Sequence, residues 1–490
     1  MPLAHRHANA CATSPIIGLM TTRATAARAA LDYQSAHHIP AATRTLLAEL
    51  LWLALPVVAE NMLHMMVGLT DVYLASHLPE SKVAASATAA IGSVGYILWL
   101  IGLIAGAIGT GSTAIIARAI GAKHHSLANS VCGQSVTAAV LTGLLLSAFF
   151  ILFAVPSAAI TGLTGQAHTF TLYYIRILSL ALPFSILMYA ASACLRGAGD
   201  SVTPAISMIL VDVLNMGFSA ALARGWWGFP VMGFRGIAIG TVIAYIAGGI
   251  LLFCVLVSGR GKLRLFLHRL RPNWLTLKRI FRIGIPSGTE WLITWVAQFL
   301  IIIVINRADV TNVMSAAHII AVRVEALSYM IGFAVATAAA TLVGQALGMK
   351  DPHRAKRSAY LAYAVGAGAM VVGGLVFILW GRVLTGVMSN TPRIADLAAQ
   401  CLYITAFAQP GFAAAVIFAG ALRGAGDTLT TMWINLASVL FLRLAGVMIV
   451  GWWLHMGLAA IWIVLASELI IRGVAVFLRF RQGGWQHTKV

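Results

Sequence analysis

"CLRGAGDSVTP" at 194–204 returns as "ALRGAGDTLTT" at 421–431. Two other segments return in the same order. "LPVVAE" (55–60) comes back as "IPSGTE" (285–290), and "ARAIGAKHH" (117–125) as "GQALGMKDP" (344–352), with Gly348 answering Gly121. Near-constant offsets over so much chain mean that a whole half is duplicated, not a lone motif. Inside the repeated segment, Gly197 and Gly199 allow a tight backbone. Arg196 and Arg423 follow predicted helix ends, where a cation is favoured. Asp200 and Asp427 stand where the N-cap of the next helix belongs. The segment is expected to be a structural elbow needed once per half.

The elbows punctuate a very apolar chain. Of 490 residues, 60% are hydrophobic and 10% charged, and the mean hydropathy is +0.90. "SVTAAVLTGLLLSAFFILFAV" (135–155) is one of many runs long enough to cross a bilayer as a helix. The runs are continuous rather than alternating, which predicts helices and not a barrel. Spans are expected near 47–76, 85–117, 127–155, 167–194, 202–223, 235–258, 279–305, 313–345, 357–381, 394–421, 430–450 and 456–479. The fold class is therefore all-α integral membrane, with twelve transmembrane helices in two six-helix lobes. An even number of spans per half makes the repeat parallel, a pseudo-two-fold along the membrane normal.

The net charge of +19 does not point to nucleic acid, because the basic residues cluster in short segments between spans. With the N-terminus inside, the outer loops hold only Lys82, Arg224, Arg235, Arg307, Arg382 and Arg393. That asymmetry predicts a multi-pass protein with both termini cytoplasmic. The expected organisation is a disordered tail (1–46), a first lobe (47–258), a basic connector (259–278), a second lobe (279–480) and a C-terminal tail (481–490). The five cysteines are scattered, and the pairs His5/His7 and His37/His38 lack ligand spacing. No metal site and no cofactor are expected.

Ionisable residues within spans are costly and so are functional candidates. Asp71 lies roughly 24 residues into span one, in the outer half of the membrane at 1.5 Å per residue. In span five, Asp212, Asn215 and Ser219 follow at i, i+3 and i+7 on one helical face. Thr241 of span six falls at a similar depth. Glu290 mirrors Glu60, each four residues after a proline, and Trp291 and Trp295 beside Glu290 suit an organic cation. His318 and Glu325 share a face of span eight, with Arg323 as one partner open to Glu325. Arg443 and Arg472 are further cations within spans.

The doubled "LRGAGD", "LPVVAENMLHMMVGLTDVYLASHL" of span one and "AAHIIAVRVEALSYMIGFAVATAAATLVGQALG" (316–348) together resemble the bacterial multidrug and toxic compound extrusion (MATE) transporters, over about 47–480. The resemblance implies a central cavity that opens alternately inward and outward. It also implies export of organic, often cationic compounds against inward H⁺ or Na⁺. It places the coupling carboxylate at Asp71 and assigns ion-binding positions to Asn215 and Thr241. Ser219 departs from the pattern, standing where several members have a second Asp, and Gln409 replaces an acid some members carry in span ten. The expected protein is an efflux antiporter of the bacterial inner membrane and a monomer, whose partners are small organic cations and the lipid bilayer. One alternative resembles the lipid-linked oligosaccharide flippases. A membrane enzyme is the other, but no clustered nucleophile, acid–base pair or metal motif supports it, and no P-loop is present.

Overall fold

The computed structural model describes residues 41–259, 262–309 and 311–488. Compactness divides the chain at Glu49/Leu50. The described part of the first unit, from Ala41, is helical, so helix replaces the end of the tail predicted for 1–46. His5, His7, His37, His38 and Cys11 lie outside the described residues.

Helices α1 (Ala41–Ser76), α2 (Ser81–Gly121) and α3 (His125–Leu152) are followed by a short helix, Ala154–Ile160. Helix α4 is a broken span: Gly165–Ser179 and Leu182–Ala198 meet at a 56° bend. Pro183, in the first turn after the break, cannot donate the backbone hydrogen bond that would continue the helix. Helices α5 (Val202–Arg224) and α6 (Phe234–Ser258) complete the first half. The second half holds α7 (Trp274–Ala308), α8 (Val313–Gly348), α9 (Pro352–Met388), α10 (Pro392–Gly424), α11 (Thr428–Trp453) and α12 (Leu458–Gln482). Eleven of these are long and apolar enough to cross a membrane singly, and the bent pair makes twelve spans. No strand occurs among the described residues. Among the described residues, helix α11 alone widens into π-type turns, over Ser438–Leu444 and Ile449–Trp453.

The backbone of the two elbows follows the repeat, but their aspartates do not act alike. Gly199 (φ 91°) and Gly426 (φ 87°) take the left-handed conformation that ends α4 and α10. Asp200 accepts from the backbone N–H of Val202 and Thr203 at 3.1 and 3.0 Å, capping α5. Asp427 corrects the expectation. It occupies the N-cap position of α11 but accepts no backbone N–H there. Its carboxylate instead takes the Thr430 hydroxyl at 2.6 Å and Arg479 of α12 at 2.7 Å. A cation in the last turn of α12 has outcompeted the local amides.

The halves meet reciprocally at their basic ends. A Cβ on Gly121 would lie 2.0 Å from the Gln345 carbonyl, and one on Gly348 would lie 2.1 Å from the Arg118 carbonyl. Arg118 and Gln345 are themselves repeat partners, so contact i–j is matched by j–i, the signature of a two-fold. Helix α7 likewise crosses α2, while Leu50, Leu53 and Ala54 of α1 pack on Val335, Ala339 and Leu342 of α8.

Two predicted loops are more built than expected. The connector predicted for 259–278 yields to α7 from Trp274, and its earlier part is pinned to α3. Leu263 and Leu265 are buried there, and the Gln134 side chain binds the Arg269 and Arg271 carbonyls and the Asn273 N–H. In the tail predicted for 481–490, α12 runs to Gln482 and Trp485 is fully buried against Phe480.

Candidate functional site

The first half gathers its polar residues around Asp71. Asp71 is 2% exposed, between helices α1, α4, α5 and α6. Its carboxylate accepts from Tyr174 Oη at 2.8 Å, Asn215 Nδ2 at 3.0 Å and Thr241 Oγ1 at 2.8 Å. Asn215 Nδ2 also lies 3.3 Å from Ser219 Oγ, and Ser219 donates to the Ile237 carbonyl. Gly240 lets α6 come this close, since a Cβ there would collide with the Ser219 backbone. The structure thus brings together Asp71, Asn215, Thr241 and Ser219. Asp212, on the same helix, is not part of the cluster: both its oxygens are buried and neither finds a hydrogen-bond partner. Tyr174 was missed because a tyrosine in "TLYYIRILS" carries no charge to mark it.

A second network lies nearer the basic end. Arg196 reaches both oxygens of Glu60 at 2.7 Å, and one turn further along α1, His64 hydrogen-bonds Tyr189. The elbow arginine therefore does more than neutralise a helix end; it closes an ion pair between α1 and α4. The second half repeats the pair as Arg423–Glu290 at 3.1 Å. These two pairs explain why the elbow and the glutamate after the proline are duplicated together.

The spans of the second half, with Trp99 of α2, line a cavity of about 450 Å³. Glu290, Trp291 and Glu325 line it, as do Trp99 and Phe333. Glu290 Oε2 is buried with no partner, and Arg423 lies over the Trp291 ring at 5.9 Å. Glu325 accepts the Thr405 hydroxyl at 2.5 Å; it does not pair with Arg323, which faces outward. His318 does not line the cavity. It is held behind it, by Trp462 Nε1 at 3.2 Å and by Gln298. Trp295 also falls outside the lining, against Trp99 and Phe299. Gln409 is buried, accepting from Ser328 at 2.7 Å.

The acids of this cavity are offset by cations. Arg423, Arg443 and Arg472 line the same cavity. Glu468, 1% exposed, binds Arg443 at 2.6 Å and Arg472 at 3.2 Å and takes the Ser438 hydroxyl at 2.6 Å. Ser438 and Arg443 both sit in the first widened stretch of α11. Glu468 was legible: an acid inside "LASELIIRG" with Arg472 four residues on is a buried-charge signal. No group of three metal-ligating side chains occurs among the described residues.

A duplicated six-span frame, with a buried carboxylate cluster in one half and a charged cavity in the other, is the architecture of a membrane transporter. The chain belongs to the MATE family, whose members are transporters and not enzymes: the MatE family model matches residues 56–220 and 286–470. It is 31% identical over 446 residues to the probable multidrug resistance protein NorM of Thermotoga maritima, covering 90% of this chain and 94% of that one. The uncharacterized transporter YisQ of Bacillus subtilis is 26% identical, with 88% and 93% covered. Among solved structures, a MATE protein in a bent conformation superposes with a TM-score of 0.82 at 19% identity, covering 90% of this chain and 98% of that one. The Vibrio cholerae MATE transporter VcmN in the bent form gives 0.80 at 18% identity, with 90% and 97% covered.

Proposed function

We propose that this protein is a secondary active exporter of small organic, cationic drugs or metabolites, driven by inward H⁺ or Na⁺ through alternating access. The observation that carries this reading is the Asp71 cluster. A carboxylate at that depth is retained against a large desolvation cost. Three donors from three other helices tie its charge to the arrangement of the lobe. Adding or removing a cation at Asp71 therefore changes what α1, α4, α5 and α6 gain by staying together. Pro56 gives α1 a weak point at which to bend. The relative named as a multidrug resistance protein supports the cargo class.

The cavity of the second half is the cargo site in this reading. Glu290 Oε2 and Glu325 meet the positive end, and Trp99, Trp291 and Phe333 supply aromatic faces. The neighbouring Arg423 is held by Glu290, and Arg443 and Arg472 by Glu468, so the lining remains usable by a cation. The segments 47–258 and 279–480 act as the two rocking lobes of a monomer. The protein sits in a bacterial inner membrane with both termini cytoplasmic, as the positions of the basic segments favour.

Efflux of a panel of fluorescent organic cations, with H⁺ and Na⁺ gradients imposed separately on vesicles, tests the proposal. Wild type is expected to export under one of them. Asp71→Asn is expected to insert normally and lose at least about tenfold in gradient-driven rate, some 1.4 kcal/mol or more. Wild-type export by that variant would place coupling elsewhere.

A further inference from the structure

Asp212 is the most anomalous charged group in the first half. It is 5% exposed, yet both carboxylate oxygens are buried without a hydrogen-bond partner. No lysine, arginine or histidine pairs with it among the described residues. Asn215, one turn along α5, carries a second buried orphan acceptor, Oδ1. The amide orientation is set by its surroundings. Nδ2 is spent on Asp71, Thr241 and Ser219, all acceptors, so the oxygen must point away from them. Helix α5 packs on α6 and on the second half of α4. On those helices, Tyr245 of α6 is coupled electrostatically to Tyr189, Asp71 and Asp212, and Tyr189 of α4 is hydrogen-bonded to His64 of α1.

A buried carboxylate cannot keep its charge in such a place. Without a partner the ionised form costs several kcal/mol or more, and the group takes up a cation instead. Metal cations bound by oxygen take about six ligands, whereas this position offers one carboxylate and one amide oxygen. A proton needs only one oxygen, and Asn215, three residues along the same helical face, carries the unpartnered oxygen toward which the resulting O–H can turn. Asp71 has the opposite surroundings, three donors and no orphan oxygen. Two carboxylates of one lobe set apart by their environments are suited to different protonation roles.

We propose that Asp212 is a second proton-binding site of the first half, separate from the Asp71 cluster and carrying its proton in this conformation. It rests on the coupling role proposed above for Asp71 and adds a proton to each transport cycle. Asn215 stands between the sites, its amide N–H₂ serving Asp71 and its oxygen free for Asp212. When Asp71 takes a proton it needs fewer donors, and the amide can turn toward an Asp212 that has released its own.

The test is the thermodynamic H⁺:substrate ratio of the full-length protein in liposomes, with the membrane potential clamped at zero. A proton gradient of one pH unit should sustain about a hundredfold gradient of a fluorescent organic cation in wild type, each tenfold being about 1.4 kcal/mol. Asp212→Asn and Asp212→Leu should fold, melt no lower than wild type, and sustain about a tenfold gradient. Infrared difference spectra should lose a protonated carboxyl band in both variants. A wild-type ratio already near tenfold, an unchanged ratio in the variants, or a lower melting temperature would each overturn the second site. So would export driven by Na⁺ alone, which would leave the Asp71 reading standing. Wild-type coupling in Asp71→Asn, by contrast, would remove the reading on which the second site rests.

Discussion

The two halves share a frame and differ in chemistry. At the repeat offsets, Asp71 becomes Ile301, Tyr174 becomes Cys401 and Asn215 becomes Leu442. Ile301 and Cys401 are fully buried with Ile305, Ile461 and Trp462 in an apolar cluster. Where the first half holds a carboxylate among three donors, the second half has an ordinary core. The ion pair closed by the elbow arginine survives in both, as Glu60–Arg196 and Glu290–Arg423. The charges of the second half gather in a different place, around Glu468 and the cavity. Duplication has preserved what the backbone needs and left the interiors different, and on that difference rests the proposal that one half takes a coupling cation and the other cargo.

The sharpest way to break this comparison is Glu468→Gln. It leaves Arg443 and Arg472 buried with a neutral neighbour, and nothing in the first half resembles them. A loss of about 3–5 kcal/mol in stability is expected in detergent unfolding. Replacing Arg443 by Met and Glu468 by Leu together should recover part of it. A loss below about 1 kcal/mol in the single variant would mean that the network is open to water.

The next test compares the shared ion pairs. Glu60→Gln and Glu290→Gln each leave an arginine with a weaker partner, and each should cost about 1–3 kcal/mol. The stability effects should match, while the transport effects should not. Glu60→Gln is expected to retain at least part of export, whereas Glu290→Gln should weaken the binding of organic cations. Equal loss of cargo affinity in both, measured by fluorescence titration, would erase the division of labour.

The smallest effect separates the two elbows. Asp200→Asn should cost only a few tenths of a kcal/mol, because asparagine caps as well as aspartate. Asp427→Asn should cost more, by about 0.2–1 kcal/mol, since it ends the ion pair with Arg479. Melting curves of the two variants side by side measure the difference, and the opposite order would contradict the geometry at Asp427.

Span number, the parallel repeat and the elbows were legible because hydropathy and repetition are properties of the chain itself. The grouping of Asp71, Asn215, Ser219 and Thr241 was legible from depth together with the family resemblance, although the same reading also counted Asp212 in. What one helix cannot reveal is which way a neighbour's side chain points. Tyr174 reaches Asp71 from α4, and Asp212 shares a helical face with Asn215 yet stays outside the cluster, because the donors are already spent. His318 and Glu325 share a face of α8 but part company, since Trp462 draws the imidazole behind the cavity wall. Arg443 reaches Glu468 from a helix whose turns widen at that point, a local departure that no periodicity predicts.

The central claim is that coupling belongs to the first half and cargo to the second. It is tested most directly by measuring, in one liposome preparation, both the binding of a fluorescent organic cation and its gradient-driven transport for wild type, Asp71→Asn and Glu290→Gln. Asp71→Asn should bind cargo within about twofold of wild type, a difference of some 0.4 kcal/mol, and show no response to the gradient. Glu290→Gln should bind more weakly yet still respond to the gradient once cargo is saturating. If Asp71→Asn responds to the gradient as wild type does, or if Glu290→Gln loses the response while binding normally, the two halves do not divide the work in this way.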